Sequence, residues 1–282
     1  MRPRKAGTAR ATVLAVTSGK GGVGKTNVTI NVAIAMARLG LRVGVLDADF
    51  GLGNIDVLLG IAPGAHVGHL VAGEKKLSDV VVRGPHGITI IPASSGLQSM
   101  TSLSGLQRDR LLAALDLACR DLDFLLIDTA AGISDNVMEM LKLAERVVLV
   151  TSLEPSAIVD AYALTKVLTG ADATKEIGVV VNGVHTAEEA GLAFRQIETA
   201  VRRFLKRSVA YYGHITDDPA VRESVLVQRA IVDHLPQSPA SRCYRIVASR
   251  LAGLGPAQGG LRLATRGTTA GIASVDEVPQ CA

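Results

Sequence analysis

The sequence predicts an α/β protein in which a mostly parallel, twisted sheet carries helices on both faces. Three observations predict it. Short runs rich in Val, Ile and Leu recur along the chain, and most are separated by segments of helical length, which is repeated β-α winding. Aromatic residues are only 3% of the 282 and Trp is absent, so the core must be Val, Ile, Leu and Ala, the mixture of parallel strands covered on both sides. The first strand-like run passes through a glycine-rich loop straight into a helical segment. With 48% apolar and 20% charged residues the chain can bury a sizeable core, read here as one domain over 11–254 after a basic extension, 1–10.

The first strand, residues 12–17, reads T-V-L-A-V-T and leads into Ser18-Gly19-Lys20-Gly21-Gly22-Val23-Gly24-Lys25-Thr26. Gly19, Gly24, Lys25 and Thr26 meet the phosphate-loop pattern G-x-x-x-x-G-K-[ST], and the added glycines let backbone N–H groups approach phosphate oxygens with no Cβ in the way. Lys25 is placed to reach terminal phosphates and Thr26 to meet Mg²⁺, so ATP is the expected ligand. Lys20 is a second lysine inside the loop. Residues 27–38 follow with Val28, Ile30, Val32, Ile34 and Met36 among small residues, long enough for a buried helix.

The second strand, 43–46, ends in Asp47-Ala48-Asp49, two carboxylates at the C-terminal end of a strand, where α/β proteins bind ligands; strand alternation puts both on one side. Strand-like runs follow at 88–91, 124–127, 147–150, 177–181 and 209–212. Asp128 ends the run 124–127, precedes Thr129-Ala130-Ala131-Gly132, and has the setting of a Walker-B metal carboxylate, with Gly132 free to turn toward a γ-phosphate. Helical periodicity is expected over 106–120, 157–168 and 187–206. The last has Glu188 and Glu189 in its first turn and Lys206 and Arg207 at its end, matching the helix dipole. Arg202, Arg203, Lys206 and Arg207 are read as a solvated helix end in preference to a DNA or lipid contact. Residues 241–254 form an amphipathic helix expected to dock on the domain, because its apolar stripe lacks Phe and Trp. Beyond it, 255–282 is Gly/Ala/Thr-rich and is expected to be disordered.

Composition narrows the function classes. The net charge of +4 is modest and partly held by Arg2, Arg4, Lys5 and Arg10, too little to argue for nucleic acid by itself. Cys119, Cys243 and Cys281 are scattered with no C-x-x-C, which indicates neither a disulfide framework nor a zinc site nor a bound iron–sulfur cluster, and suits the reduced thiols of the cytoplasm. His66 and His69 lack a third ligand nearby in sequence. The apolar stretch 13–16 runs straight into the loop, and no run reaches the roughly 18 residues of a spanning helix, so neither export nor a transmembrane anchor is expected. A metabolic kinase or synthetase would need an acceptor pocket, of which the sequence gives no clear sign.

These residues resemble the MinD/ParA family of deviant Walker-A P-loop ATPases, whose mark is the extra lysine seen here as Lys20; the resemblance covers 11 to about 250. It implies Mg²⁺-dependent ATP binding and slow ATP hydrolysis, and a face-to-face ATP-loaded homodimer in which Lys20 crosses to the partner's nucleotide. It also implies that Asp49 orients the attacking water, that Asp47 and Asp128 serve the Mg²⁺ shell, and that Asn182 contacts adenine. Within the family, the stretches 49–60, 128–134 and 154–162 are most similar to the flagellar-number regulators, the FlhG/FleN branch. That similarity implies control of flagellar number or placement through a flagellar GTPase or a flagellar transcriptional regulator. Residues 1–10 do not match the branch's glutamine-containing GTPase-activating helix, and the C-terminal part lacks an evident membrane-targeting helix. The expected location is therefore the cytoplasm, with peripheral contact with the inner face of the cell membrane left open. ParA-type DNA or cargo partitioning and MinD-type division-site placement stay open as alternatives.

Overall fold

Residue order and register in the computed structural model, which describes residues 10–93 and 103–253, follow from where the apolar runs fall. The expected extension before residue 10 and the expected tail after 254 lie outside those residues. Strands β1 (Thr12–Ser18), β2 (Val43–Ala48), β3 (Val82–Arg83), β4 (Thr89–Ile91), β5 (Phe124–Ala131), β6 (Arg146–Thr151), β7 (Glu176–Val184) and β8 (Ala210–Thr216) form a sheet of order β3-β4-β2-β5-β1-β6-β7-β8. Every neighbouring pair is parallel except β3 with β4. β1 is central and buried along its whole length. The chain winds from it first toward the β3 edge and later toward the β8 edge, so the topological switch point lies at its C-terminal end.

The helices are α1 (Lys25–Arg38), α2 (Ile55–Leu59), α3 (Val67–Ala72), α4 (Leu77–Val80), α5 (Gly105–Cys119), α6 (Asp135–Leu143), α7 (Pro155–Ala171), α8 (Ala187–Ala200), α9 (Pro219–Leu226), α10 (Ile231–His234) and α11 (Pro239–Gly253). Alternate residues of each strand feed two cores. Leu14, Val16, Val45, Leu126, Val148 and Val180 pack with α1, α2, α10 and α11. Val13, Ala15, Leu46, Leu125, Ile127, Val147, Leu149 and Val179 pack with α3 to α8 on the opposite face. The helix α11 buries Cys243, Tyr244, Val247 and Leu251 and packs on α1 and β8, so its apolar stripe is consumed by the domain as expected.

Two expected elements change on folding. Residues 187–206 are not one α-helix: α8 ends at Ala200, a wider π turn spans Val201–Leu205, and Lys206 closes it in the left-handed region at φ 55°. The wider turn keeps Leu205 packed against the core but leaves Phe204, which the apolar periodicity placed inside, 64% exposed. Arg202, Arg203, Lys206 and Arg207 are solvent-facing, and Arg202 pairs with Glu198 at 2.8 Å. The run 124–127 continues to Ala131, because Thr129 and its neighbours keep pairing with β1 and β2, so Asp128 sits inside β5 and not at its end.

Candidate nucleotide-binding site

The phosphate-type loop leaves the C-terminal end of β1 and enters α1 at the sheet's switch point. Its conformation explains its glycines. Gly22 and Gly24 have φ of +79° and +85°, a region that other residues rarely adopt. A Cβ on Gly19 would lie 2.4 Å from the main-chain carbon and oxygen of Asp160, so the loop lies flush against α7. Gly21 and Gly22 are exposed and face open space. Val23 points into the core, and its carbonyl accepts a 2.8 Å hydrogen bond from Asn182 Nδ2 at the β7 end. Asn182 therefore touches the loop directly.

Lys25 is buried, with Nζ 3.9 Å from Asp128 Oδ1. Asp128 is itself fully enclosed, at 1% exposure, and lies in register with Val16 of β1 and Asp47 of β2. Burial pushes its carboxyl above the usual range, opposed by the Lys25 charge and by hydrogen bonds from the hydroxyls of Thr26 and Thr29. Asp47 is pushed up to about 7, chiefly by burial and next by the neighbouring Asp128. Its two oxygens accept from the backbone N–H of Asp49 (3.2 Å) and Ile55 (3.3 Å), folding the 49–55 loop back over the end of β2. Asp49 lies one residue beyond that strand and is partly exposed, unlike Asp47. Gly132, at φ +93°, donates its N–H to the Ser18 carbonyl at 2.8 Å.

Lys20 is not directed at Lys25 or Asp128. Its ammonium is bound by the Glu154 carboxylate and lies 3.0 Å from the Ser156 hydroxyl, at the start of α7. Both partners come from more than 130 positions away.

This donor set fits a magnesium–nucleotide pair. The loop presents backbone N–H groups at a helix N-terminus with no side chain over Gly21 and Gly22. Thr26, Asp47 and Asp128 supply hard oxygen donors, and a divalent cation would take the place of the proton that burial favours on Asp47. Among the described residues no group of three or more His, Cys, Asp and Glu side chains could hold a metal, so a cation here would rely on nucleotide phosphates for further ligands. His66 and His69 stack on each other, their centroids 3.9 Å apart, at the start of α3.

Comparison with known proteins places the fold. A family model, ParA, described as NUBPL iron-transfer P-loop NTPase, matches residues 10–252. The chain belongs to the ParA/MinD family of P-loop NTPases. Among ParA/MinD relatives, the antiactivator FleN of Pseudomonas aeruginosa is 44% identical over 239 residues, 85% of each chain. The flagellum site-determining protein YlxH of Helicobacter pylori is 30% identical over 239 residues, 84% of this chain and 81% of that one. The MinC:MinD cell division protein complex of Aquifex aeolicus superposes with a TM-score of 0.72 at 27% identity, over 91% of this chain and 100% of that one. No helix among the described residues is long and apolar enough to cross a membrane.

The structure also brings into the site residues to which the sequence reading gave no part in it. Thr29 hydrogen-bonds Asp128, and Glu154 and Ser156 bind Lys20. A threonine inside an apolar helix reads as core, and nothing in local spacing links residue 20 to residue 154.

Proposed function

We propose that the chain is an ATP-binding and ATP-hydrolysing switch that dimerises with ATP and controls flagellar number or placement through partner proteins. The observation that carries this reading is Lys20, a cation on the phosphate loop that is held away from Lys25 and Asp128 by Glu154 and Ser156. A group placed so serves nucleotide chemistry only after it changes partners, which suits delivery across a dimer interface. The 44% identity to FleN and the likeness to YlxH support the flagellar assignment.

In this reading the backbone of Gly19, Gly21, Gly22, Val23 and Gly24, with Lys25 and Thr26, binds the phosphates, and Asn182 meets adenine while bracing the loop at Val23. Thr26, Asp47 and Asp128 hold Mg²⁺, which when bound neutralises charge on the phosphates. Asp49 orients the attacking water. Lys20 from the partner subunit stabilises charge on the transferring phosphoryl group, as an arginine finger does, a class of contribution worth roughly 10³ to 10⁵ in rate. Until the dimer forms that contribution is missing, so the monomer keeps its ATP, hydrolysis waits on assembly, and the ATP-bound dimer is the form that engages partners. Those partners are a flagellar GTPase or a flagellar transcriptional regulator, met in the cytoplasm or at the inner membrane face.

Iron transfer, part of the family model's description, finds no support in the two described cysteines. Cys119 and Cys243 are buried in the cores on opposite faces of the sheet. The exposed Arg202, Arg203, Lys206 and Arg207 favour DNA partitioning as the second reading. Asp49→Ala protein used as bait with ATP and with ADP separates the readings. ATP-dependent retention of flagellar assembly factors or regulators supports the first. Retention of division proteins, or of DNA with a steep loss on adding salt, replaces it.

A further inference from the structure

Thr29 lies one helical turn beyond Lys25 and is fully buried. Its hydroxyl oxygen is 2.9 Å from Asp128 Oδ1 and 3.1 Å from the Lys25 carbonyl. A hydroxyl has one proton, so it donates to one of these two acceptors at a time. An ionised carboxylate is the stronger acceptor, because a charge-assisted bond is about twice as strong as a neutral one. The oxygen that Thr29 contacts is also the one that faces Lys25 Nζ, so hydroxyl and ammonium together fix Oδ1. With Oδ1 fixed, rotation of the carboxylate is arrested and the direction of Oδ2 is set as well.

We infer that Thr29 is a positioning residue for the magnesium site, acting through Asp128 to hold one carboxylate oxygen so that the other is presented to the cation. This rests on the magnesium–nucleotide reading of the loop. Thr29 touches neither phosphate nor metal in this role. It differs from Thr26, whose hydroxyl is itself an expected ligand, and it has no place in the phosphate-loop pattern, which ends at Thr26. Loss of an outer partner of a metal ligand typically costs roughly 10- to 100-fold in metal affinity. Because Lys25 and Thr26 still hold Asp128, the lower end of that range is expected.

The test is a fluorescence titration of mant-ADP onto the full chain, first in EDTA and then with Mg²⁺ varied, for wild type, Thr29→Val and Thr29→Ser. Valine keeps the branched shape and removes the hydroxyl; serine keeps the hydroxyl. The expected result for Thr29→Val is mant-ADP affinity in EDTA within about 2-fold of wild type, with the half-saturating Mg²⁺ concentration raised about 10-fold. Thr29→Ser should return that midpoint to within about 3-fold of wild type. An unchanged Mg²⁺ midpoint in Thr29→Val overturns the inference. So does an equal loss with and without Mg²⁺ that serine fails to restore, which marks a packing role. If Thr29→Val has no cooperative thermal transition, Thr29→Ala takes its place in the same comparison. Failure of wild type to bind mant-ADP at all contradicts the nucleotide reading itself, and is distinct from a magnesium midpoint that ignores Thr29.

Discussion

Asp47 gives the prediction that the structure specifies most closely. Its carboxyl is raised to about 7, against about 3.9 for an unperturbed aspartate. Between those values the folded chain holds a proton that the unfolded chain has released, so the protein without nucleotide or metal loses stability as pH rises from about 4 to 7. The loss amounts to about 1.5 kcal/mol at pH 5 and about 4 kcal/mol at pH 8. Asp47→Asn removes this titration. It also leaves one of the two backbone donors, Asp49 N–H or Ile55 N–H, without an acceptor, because an amide has a single carbonyl oxygen; that costs about 1–3 kcal/mol at every pH. The pH-dependent part does not include that constant cost. The stability of Asp47→Asn relative to wild type should improve by about 2–3 kcal/mol between pH 5 and pH 8. For a domain of this size that is a relative gain of roughly 5–10 °C in Tm. Circular dichroism is the suitable probe, since the chain has no Trp. A Tm difference between the two proteins that is the same at pH 5 and pH 8 would refute the claim that Asp47 is held protonated by its surroundings.

Other consequences follow from the loop. Lys25→Ala leaves Asp128 buried without the ammonium that faces it and should abolish nucleotide binding or hydrolysis, read by mant-nucleotide titration and phosphate release. Lys20→Ala should lower ATP turnover while the monomer still binds nucleotide; undiminished turnover counts against a role in trans. Glu154→Gln weakens the hold on Lys20 within its own subunit and should raise ATP-dependent dimerisation or turnover, whereas no change in either means the contact is incidental. Gly19→Ala forces a Cβ to 2.4 Å from the Asp160 main chain, so a loss of about 1–3 kcal/mol in thermal or urea unfolding is expected, with weakened nucleotide binding.

Much of this architecture was legible in the sequence where an element was long or chemically distinctive. The apolar runs of β1, β2, β5, β6, β7 and β8 and the periodic helices α1, α5, α7 and α11 announced themselves, and seven of the eight strands among the described residues were anticipated in place. β3 is two residues long, and α2, α3, α4 and α10 have four to six residues each, too short for either period to show. α6 and α9 were also unannounced. α6 is amphipathic through Val137, Met140 and Leu141, but it lies directly after the Gly132 turn and reads as a continuation of a loop. The π turn after Ala200 had no signal, since Phe204 and Leu205 both suit an apolar stripe and only packing decides which one is buried. Within the site, the glycines, Lys25, Thr26 and the three aspartates Asp47, Asp49 and Asp128 were marked out by pattern. The partners of Lys20 and the hydroxyl on Asp128 did not, because each joins residues about a hundred or more positions apart whose types are ordinary in their own segments.

The central claim is that nucleotide state sets assembly, and sedimentation velocity of Asp49→Ala protein with Mg²⁺-ATP and with Mg²⁺-ADP tests it most directly. The account predicts a dimer with ATP, a monomer with ADP, and loss of the nucleotide dependence when Lys25→Ala is added. The same sedimentation coefficient in both nucleotides, with binding of each shown separately, would contradict it.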